Sequence, residues 1–362
     1  MKIAVDVTGS LYTGTGVANY YHHLVPLLRS LESANQFLFF GYSLRRRAEL
    51  TLADRTFPLP PSLMDIVWNR LHVFPVERLI GDCDLLHSWD YIQPPTRKAK
   101  IVTTIHDLTP MLFPKHHLPK TVSVYKAGLK WVEREAEAVI ADSLATKADL
   151  LKLTKIPEDN IHVIYLAAAD AFQEFRLRQA NTKDVSIEQV RNKYGIKGDY
   201  SLSVGTLEPR KNVERSVQAF KIASADQTLV VAGHSGWGRD IKPAPGVLMI
   251  GYVPDADLPP LYAGASCFLY PSLYEGFGLP VLEAMAVGTP VVTSDRGSLK
   301  EIAGDAAVTV NPESVEAIAF GINVALKRRD ELSQKGIKQA QQFSWELTAA
   351  QTLEVYEKIG KE

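Results

Sequence analysis

The chain has 362 residues, 46% of them hydrophobic and 22% charged, and a formal net charge of −1. That balance is globular and long enough for two domains, and it argues against a disordered chain or a general nucleic-acid binder. No apolar run approaches the roughly 18 residues of a membrane span, and Met1 opens directly onto a strand pattern, so a cytoplasmic protein without a signal peptide is expected. The two cysteines, Cys83 and Cys267, lie in apolar strand-like runs and read as buried free thiols in a reducing compartment. In the first half, apolar runs predict strands over 3–7, 37–41, 84–87, 101–105, 138–141 and 162–164. Between them, helical periodicity predicts helices over 17–30, 63–80, 121–137 and 144–153. The alternation implies βαβ units and a parallel sheet covered on both faces. Residues 171–191 mix charges without an apolar period and read as a linker. Strands then recur over 200–204, 228–232, 247–250, 267–270, 290–293 and 307–310, and an amphipathic helix, 346–359, ends the pattern. The expected fold class is α/β: two Rossmann-like domains with parallel sheets facing across a cleft. A ligand is expected at the carboxyl ends of the strands.

The chemistry concentrates after the strand at 267–270. The run Pro271-Ser-Leu-Tyr-Glu275-Gly276-Phe277-Gly278-Leu279-Pro280-Val-Leu-Glu283 reads as strand, glycine loop, helix N-terminus. Gly276 and Gly278 let the loop turn, and Pro280 suits a first helical turn, where its missing N–H is harmless. Free backbone amides and a helix dipole then favour an anion. Glu275 and Glu283 flank that spot and are read as hydroxyl ligands, so a nucleotide-sugar fits, with phosphates in the middle and hydroxyls at both ends. With seven residues between the glutamates, this block resembles the donor-site signature of the retaining glycosyltransferases of family 4, also called group 1, on the GT-B fold. The resemblance implies a donor-binding domain over 176–344 and an acceptor-side domain over 1–175, with the last helix, 345–362, crossing back to the N-terminal domain.

Six further stretches join this reading. Gly14-Thr15-Gly16 follows the first strand and opens a helix; it is no dinucleotide fingerprint, but the resemblance makes it a loop facing the donor phosphates. Trp89, Asp90 and Tyr91 follow the strand at 84–87 and are assigned to the acceptor side, as aromatics able to stack on a sugar. His106 stands at the carboxyl end of the strand at 101–105; its His-Asp-Leu context resembles the family and gives it the donor sugar's hydroxyl and the charge developing at the anomeric carbon. The string Gly205-Thr206-Leu-Glu-Pro-Arg210-Lys211-Asn212 resembles the family's phosphate-binding element, although Thr206 stands where some members carry arginine. Arg210 and Lys211 are expected beside a helix N-terminus, stabilising the leaving diphosphate, and Asn212 is expected to cap that helix. The resemblance implies that the stretches Ala232-Gly-His-Ser-Gly236-Trp237-Gly238 and Gly251-Tyr252-Val253-Pro254 wall the base, with Val253 among the donor-binding residues.

No His/Cys/Asp/Glu cluster with metal-ligand spacing is evident, so neither a catalytic metal nor a cofactor is expected; the nucleotide-sugar is a substrate. Lys126, Lys130 and Arg134 fall four apart on one helix, a stripe that reads as a solvated face balanced by Glu133 and Glu137, with docking on anionic lipid as the second reading. The resemblance implies retaining transfer of a hexose, mannose from GDP-mannose first, to a glycan or lipid-linked acceptor in polysaccharide biosynthesis. The alternatives are a nucleotide-sugar epimerase or another non-transferase enzyme on the same two-domain fold, and a non-catalytic subunit that kept it.

Overall fold

The computed structural model describes residues 1–89, 91–181, 186–223, 227–234 and 244–361. The chain divides into two compact units, Met1–Leu166 with Trp345–Glu362, and Ala167–Ser344. The boundary expected at 175 falls inside the helix Asp170–Asn181 of the second unit.

The first unit carries strands β1 (Lys2–Asp6), β2 (Gln36–Tyr42), β3 (Arg55–Phe57), β4 (Leu85–Trp89), β5 (Lys100–Ile105), β6 (Ala136–Ala141) and β7 (Ile161–Val163). They form one parallel sheet in the order β3-β2-β1-β4-β5-β6-β7, with the strand order reversing between β1 and β4. The central strands are buried along almost their whole length, the pattern of a sheet covered on both faces. The helix Gly16–Ser30 starts at Thr15, whose hydroxyl accepts the Ala18 amide, and buries Tyr20, Leu24 and Leu28. Edge strand β3 was not expected, because three residues are too few to show an alternation.

The helix expected over 63–80 is instead three pieces: Pro61–Met64, a π turn over Asp65–Arg70, and Glu77–Ile80. Pro75 cannot donate to a helix ladder and drives the residue before it out of the helical region. Phe74 sits at φ 66 and His72 at φ 51, both left-handed and so outside a helix ladder, and the Phe74 carbonyl accepts from the Trp68 indole at 3.0 Å. Cys83 is free and half-buried ahead of β4, not inside a strand, whereas Cys267 is free and fully buried in the second sheet.

The helix Trp345–Lys361 packs within the first unit. Thr348 donates to the Tyr165 carbonyl at 2.7 Å, Lys100 to the Ile359 carbonyl at 2.8 Å, and the Tyr356 hydroxyl bonds His87 Nδ1.

The second unit carries β8 (Tyr200–Val204), β9 (Thr228–Ala232), β10 (Val247–Gly251), β11 (Cys267–Tyr270), β12 (Val291–Ser294) and β13 (Val308–Val310), all parallel in the order β10-β9-β8-β11-β12-β13. Its core packs Leu229, Val231, Leu269 and Val292 against Val217 and Phe220 of the helix Val213–Ala223 and Ile318 and Ile322 of Val315–Lys327. The stretch read as a linker holds two helices, Asp170–Asn181 and Ser186–Lys193. Among the described residues their buried apolar side chains are Phe172, Phe175 and Val190, and the charges around them hid the period. Thr182–Val185 of that stretch lie outside the described residues.

Candidate active site

In an open parallel sheet, ligands bind at the carboxyl ends of the strands where the order reverses. In the second unit that point lies between β8 and β11. Gly205 follows β8 at φ 147 and Gly233 follows β9 at φ 143. A Cβ on Gly233 would sit 1.9 Å from the Gly205 carbonyl oxygen, so the two loops touch through backbone alone. The Leu207 amide donates to the His234 carbonyl at 2.9 Å and locks them together.

Across from them stands Glu275, in the loop after β11. Lys211 Nζ donates to Glu275 Oε1 and Oε2 at 2.9 and 3.0 Å and also to the Tyr270 hydroxyl. Arg210 donates to Glu275 Oε2 at 2.6 Å, to the Tyr274 carbonyl at 2.8 Å and to Glu208 Oε1 at 2.9 Å. The four charged side chains are nearly sealed from solvent, so each charge must be paired. Burial pushes the Glu275 carboxyl upward, but Arg210 and Lys211 together outweigh it and hold the group down at about 2. Burial pulls the Lys211 ammonium below its ordinary value despite its carboxylate partner.

Pro209–Lys211 is a 3-10 turn directly ahead of the helix Val213–Ala223, so the two cations do lie beside a helix N-terminus, and from there Arg210 and Lys211 reach across to Glu275. Asn212 does not cap the next helix with its side chain. Its Nδ2 donates to the carbonyls of Pro271 (2.9 Å) and Pro312 (2.6 Å), and its Oδ1 accepts from Arg215. At φ 60, Asn212 is left-handed, a conformation this residue tolerates, and it staples the loop after β8 to the loop after β11.

Gly276, Phe277, Gly278 and Leu279 complete the loop and are buried. Gly278 takes φ 121, and a Cβ there would meet Leu299 at 2.8 Å. The helix Leu279–Ala286 follows and carries Glu283, whose Oε2 accepts from the Tyr262 hydroxyl at 3.0 Å. Burial raises the Glu283 carboxyl to about 7, against which the Tyr262 bond works only in part. Thr206 is half-buried and Val253 buried. Beside them the His234 and Tyr252 rings stack at 4.5 Å, a pair the sequence held in plain view but separated by a whole strand. Asp90 and the Gly236-Trp237-Gly238 run lie outside the described residues.

The first unit holds the other expected positions. His106 follows β5, and its Nδ1 lies 2.7 Å from Oδ2 of Asp142, the residue after β6. The Tyr20 ring meets the imidazole edge-on at 4.9 Å. Asp142 was missed, although an acidic residue directly after a predicted strand was a readable signal. Burial pushes its carboxyl up and His106 draws it back. Gly14, at φ 77, and Gly16, the first helical residue, form an exposed loop. Trp89 is only 2% exposed, which corrects its reading as a stacking surface; the exposed ring there is Tyr12, at 5.6 Å from Trp89, with half-buried Tyr91 on its other side at 5.3 Å. Among the described residues no group of three His, Cys, Asp or Glu side chains gathers to hold a metal ion.

Residues 186–343 match the family described as Glycosyl transferases group 1, and residues 14–168 match Glycosyltransferase Family 4. The O-antigen chain mannosyltransferase B of Escherichia coli is 34% identical over 278 residues, 72% of this chain and 71% of that protein. The chain belongs to glycosyltransferase family 4. The O-antigen chain mannosyltransferase RfbU of Salmonella typhimurium is 28% identical, covering 83% of this chain and 84% of that one. Among solved structures, the sucrose-phosphate synthase of Thermosynechococcus elongatus superposes with a TM-score of 0.72 at 19% identity, over 99% of both chains. Anabaena Alr3699/HepE in complex with UDP-glucose superposes with a TM-score of 0.71 at 17% identity, over 100% of both chains. The fold of this family 4 glycosyltransferase is thus GT-B, and the chain is a hexosyltransferase.

Proposed function

We propose that this glycosyltransferase moves mannose from GDP-mannose to a glycan or lipid-linked acceptor with retention of the anomeric configuration, and without a metal ion. The observation that carries the reading is the buried pairing of Glu275 with Arg210 and Lys211 at the switch point of the second sheet. The relatives named O-antigen mannosyltransferases support mannose as the sugar, and the epimerase alternative finds no support among them.

A bound diphosphate competes with Glu275 for the two cations. Arg210 and Lys211 then stabilise the negative charge that grows on the leaving phosphate, with donors already in place and little reorganisation at the moment of reaction. Glu275, relieved of one partner, turns its carboxylate to the outer hydroxyls of the donor sugar. Glu283 takes the ribose hydroxyls, with one of its oxygens already oriented by Tyr262. His106 is held by Asp142 through Nδ1, which sets its ring orientation. The acceptor attacks from the face the diphosphate leaves, and the leaving phosphate oxygen takes its proton. Proton NMR of the first-formed product, read before mutarotation, tests this; an inverted anomer overturns the mechanism.

A further inference from the structure

Glu208 is a buried carboxylate of the second unit that the transfer mechanism leaves without a task. Its side chain is 9% exposed, and its Oε1 accepts from Arg210 Nη2 at 2.9 Å. Arg210 uses Nη1 for Glu275 Oε2 at 2.6 Å and for the Tyr274 carbonyl at 2.8 Å. Lys211 pairs with Glu275 and with the Tyr270 hydroxyl. Two cations thus face two carboxylates, and the cluster is neutral before any ligand enters. On a protein surface such pairs contribute little. Here no side chain of the four is more than 14% exposed, so a partner that leaves has to be replaced by another.

The chain holds the two carboxylates differently. Glu275 comes from the loop after β11 and is shared by both cations. Ser298 donates to its backbone carbonyl at 2.7 Å, so its side chain can swing while its backbone stays. Glu208 belongs to the turn that carries Arg210 itself. Its amide donates to the Thr206 carbonyl at 2.8 Å and its carbonyl accepts the Lys211 amide at 3.0 Å. Pro209, with its fixed φ, stands between Glu208 and Arg210. An anion entering the cluster therefore displaces Glu275, the shared carboxylate, and leaves the pair of Glu208 and Arg210 standing. Arg210 keeps a fixed acceptor on one arm of its planar fork and turns the other to the phosphate. The retained carboxylate also acts through its charge. Cleaving the sugar–diphosphate bond adds an ionisable oxygen to the nucleotide, so a negative group behind Arg210 repels the product more than the donor.

Taking the diphosphate to lie on Arg210 and Lys211, as in the reading above, we infer that Glu208 is a positioning residue. It holds Arg210 in place as Glu275 leaves, and its charge sets the preference of the site for the donor over the cleaved nucleoside diphosphate.

Calorimetry with GDP and with GDP-mannose, together with single-turnover kinetics, tests this on the parent, Glu208→Gln and Glu208→Ala. Glutamine keeps an oxygen for Arg210 and loses the charge. GDP then binds about tenfold tighter, the scale of removing one nearby like charge from a partly buried site. GDP-mannose tightens by less. Alanine removes the acceptor as well, and the single-turnover rate falls roughly tenfold or more through a misplaced Arg210. Glu208→Gln recovers most of that loss, whereas a carboxylate that served stability alone would weaken both ligands alike. Should Glu208→Ala fail to fold, the ratio of the two affinities in Glu208→Gln carries the test. An unchanged or weaker GDP affinity in Glu208→Gln overturns the inference, as does an equal change for GDP and GDP-mannose. A parent-like single-turnover rate in Glu208→Ala overturns it too. Arg210→Gln separates the two claims. If it weakens GDP while Glu208→Gln does not tighten it, the role of Glu208 alone falls. If it leaves GDP affinity and the single-turnover rate unchanged, the diphosphate does not lie on Arg210 and the reading of the site falls with it.

Discussion

Glu283→Gln offers the sharpest test of the donor-site reading, because the role proposed for this carboxyl opposes what its burial favours. Burial raises it from an ordinary 4.5 to about 7, which amounts to about 3 kcal/mol against the ionised form in the empty protein. Binding ribose hydroxyls needs the ionised form, an acceptor at both oxygens. A carboxyl whose folded value exceeds its unfolded one contributes stability that is fully present below about 4.5 and is lost as pH rises through about 7. Glutamine does not titrate, so the variant gains on the parent as pH rises from about 5 to about 8. With roughly 2–4 °C per kcal/mol for a unit of this size, the gain is several degrees in the melting temperature of the ligand-free protein. Donor binding moves the opposite way. Between about pH 6 and about pH 8 the ionised fraction of Glu283 rises from roughly a tenth to roughly nine-tenths, so GDP-mannose affinity rises about tenfold in the parent. In Glu283→Gln the affinity is weaker at every pH and that rise is gone. Calorimetry and thermal unfolding at the two pH values measure both. An identical pH dependence of donor affinity in parent and variant refutes the ribose assignment. A melting-temperature difference that does not change with pH refutes the burial argument.

Glu275→Gln keeps nucleotide binding and lowers turnover by roughly a hundredfold, the scale of losing one preorganised contact, as steady-state kinetics read it. Because Glu275 is held at about 2, its stabilising pairing is present above about 4.5 and lost as pH falls through about 2, so the parent's thermal advantage over this variant narrows on acidification. Turnover is unchanged in excess EDTA; complete loss restored by magnesium or manganese contradicts a metal-free site. Gly233→Ala forces a Cβ to within 1.9 Å of the Gly205 carbonyl, so donor affinity in calorimetry and the melting temperature both fall, whereas Gly14→Ala, with nothing near its Cβ, costs about 1 kcal/mol or little more through its left-handed backbone alone.

Much of the fold was legible before any coordinates. Strands at 200–204, 228–232 and 267–270 fall where the apolar runs place them, because a parallel strand buried on both faces has no alternation to misread. The misread segments share one cause. Over 63–80 the apolar spacing suits a helix, and Pro75 with its left-handed neighbours breaks it. Over 171–191 the buried apolar side chains Phe172, Phe175 and Val190 are too sparse to show through the charges.

The donor block was legible as chemistry: residues 275–283 carry their own loop, helix start and carboxylates within a few residues, and local backbone preference determines that much. Which partner each charge finds was not. Arg210 and Glu275 are 65 residues apart and meet because the sheet sets β8 beside β11. His106 and Asp142 meet because β5 lies beside β6, and Tyr262 reaches Glu283 across helix packing. A sequence shows the charge of a side chain but not its distance to another; only the strand order brings distant charges into a buried, water-poor site, where pairing becomes obligatory and the pKa values move.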